Sequence, residues 1–456
     1  MERSNGLRPD TGKPAGRALT DLGNAERLVD RHGKHTIYVP EWGWLRFDGK
    51  RWKRVDVAAI EALMQQVARA IHAEAAEADS RADANATAKH ATATESTPRI
   101  RAAVTAARAL LLGNAEGFDH DPWVVNLQNG TFDFRTHELR SHRPADHITK
   151  VTNGAYEPAA SGKEWDGFLH RVQDDAERRA WLQRQVGYGL TGSTREEVLF
   201  GHRGLGANGK STFLKAIAHA AGDYATYVDP TTLAYDPRRS PQRFDLAPLA
   251  GVRIAIAVET AHRSRKLDEG LLKRLTSREP IVGEYKHKDQ FRFTPSHKLL
   301  WAFNDPPTIS SDDLGTWRRI TMTPWPVTLQ RTEWDLELDD KLRLEADAIL
   351  TWAIEGALVY LREGLNPPEA VQVATEQYRA EQDPLGEFLA TRCVVNDTVE
   401  VRAAALFEAY QRYADSERIS DRDRLSQTAF GRRMSTRFQK ATSSRGALYH
   451  GIGVRA

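Results

Sequence analysis

The sequence predicts an α/β protein built on a P-loop NTPase core, a parallel sheet sandwiched by helices. A mostly helical α+β region precedes the core and a small winged-helix unit follows it. Three observations predict this. Between about 195 and 330, short apolar runs alternate with amphipathic stretches, the pattern of buried parallel strands covered by helices. Inside that region Gly204-Leu205-Gly206-Ala207-Asn208-Gly209-Lys210-Ser211 reads G-x-x-x-x-G-K-S between an apolar run and a helix-forming segment. Beyond 384, helical segments lead into a β-ribbon around 447–455.

Composition narrows the class. The 456 residues allow roughly two to four domains at about 100–200 residues each. Net charge is +2, so any nucleic-acid surface must be local rather than a property of the whole chain. The single cysteine, Cys393, excludes an intrachain disulfide and a cysteine-based zinc site. No run approaches the ~18 apolar residues of a membrane span. Met1-Glu2-Arg3-Ser4-Asn5 does not begin a signal-peptide apolar core. The expected location is the cytoplasm of a bacterial host, without membrane contact.

In chain order, residues 1–25 are rich in Gly, Pro and basic residues and read as a tail. A domain is expected over 26–192. It opens with alternating aromatic and polar residues at 37–55 around Asp48-Gly49, a β-hairpin signal. Helices are expected at 57–78 and 99–112, with a loop or weak helix at 79–97 between them. Val124–Phe134 reads as strand–turn–strand, with Asn129-Gly130 as a primed turn that tolerates φ > 0. Helices at 164–174 and 176–190 lead into the core, 193–335. A helical extension, 336–383, follows and is broken at Pro367-Pro368. The last unit, 384–456, is expected to hold helices at 384–393, 400–416 and 426–438 before its ribbon.

The glycine loop carries the clearest chemistry. Its glycines allow successive N–H groups to point at phosphate oxygens, and the following helix adds its positive end. Gly204, Gly206, Ala207, Asn208, Gly209, Lys210, Ser211 and Thr212 form the candidate cradle for ATP. Lys210 would reach the β/γ-phosphates and Ser211 would offer its hydroxyl to Mg2+. The motif alone marks nucleotide binding, because kinases, motors and switches share it.

Further candidates stand at strand ends. Gly251–Glu259 reads as a buried strand ending in a carboxylate, which would orient the attacking water or hold the metal through its water shell. Lys298–Asn304 ends in an amide able to meet the γ-phosphate or the water, or simply to begin the turn at Asp305-Pro306-Pro307. Arg318 and Arg319 offer guanidinium groups suited to a transferring phosphoryl group, or to an ordinary salt bridge.

These elements in this order resemble superfamily 3 helicases, an AAA+-related group, and within it the helicase half of phage and plasmid primase–helicases. Leu267–Thr276 is similar to the group's additional motif, with Lys273 at its basic position. Ser277-Arg278-Glu279 stands where the group usually continues Gly-Gly-Asp. Gly283–Phe293 looks like the hairpin that projects into the central channel, which would place Lys286, His287 and Lys288 on DNA. The Trp44–Trp52 hairpin, Gly187–Gly192 and Ile349–Ala357 are similar to segments flanking the motor, so the resemblance covers roughly 37–456.

The resemblance implies an ATP-dependent DNA helicase acting as a homo-oligomeric ring, six subunits in the group, on single-stranded and duplex DNA. ATP would lie between subunits, with Arg318 or Arg319 supplied by the neighbour. The winged-helix unit would hold duplex, with Arg432, Arg433 and Arg437 as candidate phosphate contacts. About 35 residues before this region cannot hold a primase domain, so the expectation is either a separate primase or replication initiator as partner, or a chain that is a fragment of a longer protein. Three alternatives use the same motifs: an ATP-dependent DNA-binding switch or helicase loader, an RNA-directed motor, and a small-molecule phosphotransferase. The paired arginines and basic hairpin count against the last.

Overall fold

Alternating apolar residues pack both faces of the central sheet in a computed structural model of the chain. It describes residues 17–238, 245–258, 266–284, 290–309, 314–421, 424–443 and 446–455. Five strands form that sheet: β1 (Leu199–Arg203), β2 (Ala225–Tyr227), β3 (Ile254–Val258), β4 (Lys298–Phe303) and β5 (Ile320–Pro324). Their order is β5-β1-β4-β3-β2, and each neighbouring pair is parallel. Phe200, Ile254, Ile256, Leu300 and Ala302 face one apolar cluster. Leu199, Ala255, Ala257, Leu299, Trp301 and Ile320 face another. Successive strand residues point to opposite faces, so a run with no polar interruption fills both layers.

The first layer draws on segments far apart in sequence. Val125, Phe132, Trp165, Trp181 and Leu182 share one cluster with Phe200, Phe213 and Ile354. The core therefore makes no break at 192/193. Its tightest crossing joins helix Ala176–Leu190 to helix Ala346–Glu363. A Cβ on Gly187 would meet the backbone N of Ala357 at 2.1 Å, and one on Gly356 the carbonyl of Gln183 at 2.1 Å. Glycine at both positions lets the two backbones touch.

The upstream unit has its own cores. Helices Asp21–His32, Val57–Ala76, Arg81–Thr94 and Thr97–Leu110 accompany an antiparallel sheet, Thr36–Val39, Gly43–Phe47 and Trp52–Val55. The hairpin expected around Asp48-Gly49 is present, with Phe47 opposite Trp52, and a third strand, Thr36–Val39, joins it. Of the loop or weak helix expected at 79–97, residues 81–94 form a helix, with Ser80 accepting from the N–H of Asp83 at the N-terminus.

The Asn129-Gly130 turn is also corrected. Leu127 pairs with Gly130, so the turn residues are Gln128 and Asn129, and neither Asn129 nor Gly130 has a positive φ. Tertiary bonds hold this turn instead: Asn129 exchanges hydrogen bonds with the backbone of Tyr156, and Gln128 donates to the carbonyl of Thr152. Gly130 is required by space, since a Cβ there would lie 2.5 Å from the Arg140 carbonyl.

In the last unit, helices Gly386–Arg392, Ala403–Ser416 and Gln427–Arg437 pack with a three-stranded sheet. Its strand Cys393–Arg402 lies partly where helix was expected from 400; its valines favour a pleated surface. Among the described residues, no helix is long and apolar enough to cross a membrane.

Candidate nucleotide site

β1 ends at Arg203 and the helix Lys210–Ala221 begins seven residues later. Between them the backbone takes positive φ at Gly206 (107°), Ala207 (46°) and Gly209 (82°). Left-handed residues in a tight loop are the kind of backbone from which anion nests are built. The loop is packed from behind. A Cβ on Gly209 would lie 2.6 Å from Val172, and one on Gly204 would lie 2.7 Å from the carbonyl of Trp325. From above, the N–H of Leu329 donates to the carbonyl of Ala207 (2.7 Å).

Lys210 turns back into this loop. Its Nζ donates to the carbonyl of Gly204 (2.8 Å), to Oδ1 of Asn208 (3.0 Å) and to Oδ1 of Asn304 (3.3 Å). All three acceptors are neutral, and Lys210 is 5% exposed. Burial lowers its pKa from the usual lysine value to about 8. An ammonium paired with no carboxylate among the described residues is suited to an arriving phosphate. Asn208 adds a buried Nδ2 with no partner among the described residues. Ser211 is exposed and Thr212 half-buried in the first helical turn, where a phosphate-bound cation would be within reach.

Sheet register explains why Asn304 joins the loop. Phe303 pairs with Arg203 and Ala302 with Val258, so Asn304 follows the C-terminal end of β4 beside the start of the glycine loop. Beneath it lies a neutral network that sequence reasoning missed. Trp325 Nε1 donates to Nδ1 of His202 (3.1 Å), which leaves the His202 proton on Nε2. The Gln185 amide faces that Nε2 at 3.2 Å through its nitrogen, while Gln185 Oε1 has no partner among the described residues. Turning the amide over lets Oε1 accept from Nε2–H and satisfies both groups. Burial first, and the charge of Lys210 second, lower the His202 pKa to about 3, so the ring is neutral. No sequence motif marks these three residues.

The arginines lie elsewhere. Arg318 and Arg319 immediately precede β5, whose first residue pairs with Leu199 at the start of β1. In a parallel sheet that is the end opposite the glycine loop, which follows the last residue of β1. Five residues at about 3.3 Å each separate the two ends by roughly 15 Å. The two side chains also differ. Arg319 is 8% exposed; it donates to Glu197 Oε2 (2.6 Å) and to the carbonyl of Gly315 (2.6 Å). Arg318 has a side chain 66% exposed and touches the same carboxylate oxygen at 3.3 Å. Arg319 is thus a buried partner of Glu197, the salt-bridge alternative for this residue, while Arg318 is the exposed arginine of the two. Glu197, which no motif singled out, carries both.

Lys273 lies in helix Glu269–Thr276, half-buried, one residue beyond the buried Leu271 and Leu272. Strands Ile281–Glu284 and Gln290–Phe293 pair antiparallel below the expected basic hairpin. Glu259, Lys286, His287 and Lys288 lie outside the described residues. Among the described residues, no group of three metal-ligating side chains occurs. In the last unit Arg437 makes a bidentate pair with Asp383 (2.6 and 2.8 Å) and Arg433 is buried. Of the three arginines expected on duplex, Arg432 is the exposed one outside such a pair among the described residues.

Comparison with known proteins adds a family setting. Residues 25–174 match the model described as D5 N terminal like, and 202–319 match a family of unknown function, DUF5906. A presumptive helicase of Acanthamoeba polyphaga mimivirus is 26% identical over 315 residues, 64% of this chain and 33% of that protein. A presumptive primase of African swine fever virus is 23% identical over 307 residues, 62% of this chain and 32% of that protein. The chain thus spans about a third of the length of these relatives. Among solved structures, the apo NrS-1 C terminal region (305-718) aligns with 69% of this chain and 87% of its own, at 14% identity and a TM-score of 0.40.

Proposed function

Because its matched segments and viral relatives fit a member of the phage and viral primase–helicase family, we propose that the chain is an ATP-dependent DNA helicase motor that hydrolyses ATP between identical subunits. One observation carries the reading: the phosphate loop and Arg318 stand at opposite ends of one parallel sheet. Within a single chain Arg318 cannot reach the phosphate that Lys210 would hold. Set beside a second copy, the two ends complete each other, and hydrolysis becomes a property of the assembly.

In this reading Lys210 and the loop N–H groups bind the β- and γ-phosphates of ATP. Ser211, with Glu259, would hold Mg2+, which supplies charge neutralisation at the transferring phosphoryl group. Asn304 orients the attacking water from the strand end beside Lys210. Arg318 of the next subunit stabilises the charge that spreads over the γ-phosphoryl oxygens. Lys273, Lys286, His287 and Lys288 would grip the DNA backbone, and a hexameric ring is the assembly that the family resemblance supports.

The deciding measurement is the ATPase rate of the wild type and of Lys286→Ala/Lys288→Ala, with and without single-stranded DNA, across a salt series. Stimulation that depends on the hairpin and weakens with salt supports a motor. Turnover indifferent to DNA in both proteins would replace it with an ATP-dependent switch or loader.

A further inference from the structure

The upstream sheet carries cations where sheet physics disfavours them. Gly43–Phe47 and Trp52–Val55 are antiparallel, and Arg46 stands directly opposite Lys53. Directly opposed residues project to one face with Cβ atoms about 5 Å apart, and like charges there repel. Among the described residues neither side chain has an ion pair or hydrogen bond, and Arg46 Nε is buried without an acceptor. Across the other edge of the strand Arg46 pairs with Thr36. The Arg31–His35 segment, which leads into Thr36, adds Arg31, His32, Lys34 and His35. His32 registers the crowding: burial, then the charges of Arg46 and Arg31, lower its pKa.

The acids of this region are committed elsewhere. Asp30 holds Arg17, and Glu74 holds Arg27 and Arg31. Asp48 accepts from the backbone N–H groups of Lys50 and Arg51 inside its own turn. Asp56 caps the next helix through the N–H of Ala59, and Glu41 sits at the turn on the opposite end of the strand pair. Arg46, Lys53 and Lys34 are left as exposed or half-buried cations with no counter-acid among the described residues.

We propose that this corner, Arg46 and Lys53 with Lys34 and His32 beside them, is a second DNA-binding surface that grips phosphodiester groups of a single strand. Opposed like charges without an acid are costly in the free protein and favourable once a phosphate lies between them. The contact would be independent of base sequence, because the groups present charge and N–H donors and no shaped pocket. It rests on the reading that the chain acts on DNA, but it requires neither ATP nor the pore hairpin.

The test measures binding of a labelled oligothymidylate to the full chain by fluorescence anisotropy across a salt series, without nucleotide. Lys53→Glu separates the proposal from a structural role. It turns the opposed pair into an ion pair, so the melting temperature should hold or rise while affinity falls several-fold. Arg46→Gln/Lys53→Gln should flatten the log K against log salt slope by about 1.4, at ~0.7 for each phosphate no longer neutralised. The ATPase rate without DNA should stay at the wild-type level in both variants. Unchanged oligothymidylate affinity and slope would overturn the proposal, whatever the ATPase assay says of the motor. Displacement of the oligonucleotide by equimolar inorganic phosphate would overturn it too, by assigning the corner to free phosphate.

Discussion

Lys210 Nζ donates to Oδ1 of Asn304 across 3.3 Å, tying the end of β4 to the phosphate loop. The same ammonium has two further neutral acceptors, so Asn304 is not needed to hold it. In the proposed reading Asn304 serves the reaction rather than the loop. Asn304→Ala should lower kcat by about 10²-fold with little change in KM, the effect of removing one preorganised polar group from a transition state. Steady-state kinetics check this. A rise in KM at constant kcat would instead assign Asn304 to ground-state binding.

Lys210 also predicts a proton linkage. Its folded-state pKa, about 8, lies below the ordinary 10.5. Below pH 8 the folded chain keeps a buried ammonium, which costs stability. As pH climbs from 8 to 10.5 the folded chain releases the proton that the unfolded chain still holds, so this contribution to stability rises. A bound phosphate favours the charged form and reverses the shift. ATP binding near pH 8.5, roughly, should therefore take up protons. Calorimetric titrations in buffers of different ionisation heat would show it as a buffer-dependent enthalpy. The dependence should vanish in Lys210→Arg, which stays charged.

Adjacent arginines should behave differently. Arg318→Ala removes an exposed side chain and should leave melting unchanged while cutting ATP turnover by about 10³-fold, as loss of an arginine finger does. Arg319→Ala leaves Glu197 without its buried partner and should destabilise the chain by about 2 kcal/mol, less than a fully buried pair because Glu197 is partly exposed. Mixing inactive Lys210→Ala with inactive Arg318→Ala should restore turnover, since mixed neighbours rebuild complete sites. Failure of that complementation would place the ATP site within one chain.

Gly187 tests the union of the upstream helix with the extension. An alanine in a helix ordinarily adds stability. Here its Cβ would meet the Ala357 backbone 2.1 Å away, and backbone cannot yield as a side-chain tip can. Gly187→Ala should lower stability by about 2 kcal/mol in chemical denaturation. A stabilised variant would mean that the two helices separate at little cost.

Much of the candidate nucleotide site is legible in the sequence because local chemistry writes it locally. The glycines, Lys210 and Ser211 occupy consecutive positions whose backbone demands are fixed by residue type, and β3 and β4 are apolar runs that only a doubly covered sheet explains. Legibility fails where partners are remote. Nothing near Asn129 in sequence says that Tyr156 will hold its turn, and those tertiary bonds override the local preference for a primed turn. Gln185, His202 and Trp325 meet because three separate elements converge beneath the loop. Glu197 resembles any acid before a strand until two arginines are seen on one of its oxygens.

By itself, then, the sequence determined the parallel α/β core, the glycine loop, and β1, β3 and β4 as buried strands in that order, while β2 and β5 went unmarked. These follow from periodicity and residue type, which act over a few positions. Only the tertiary structure decided that Arg319 is buried while Arg318 faces outward, and that residues 125–190 and 342–371 share the core of the parallel sheet. It also decided that the uncompensated cations Arg46 and Lys53 stand face to face. The first two depend on burial and on contacts between segments tens to hundreds of residues apart, and the third on the register of one hairpin, none of which chain order encodes.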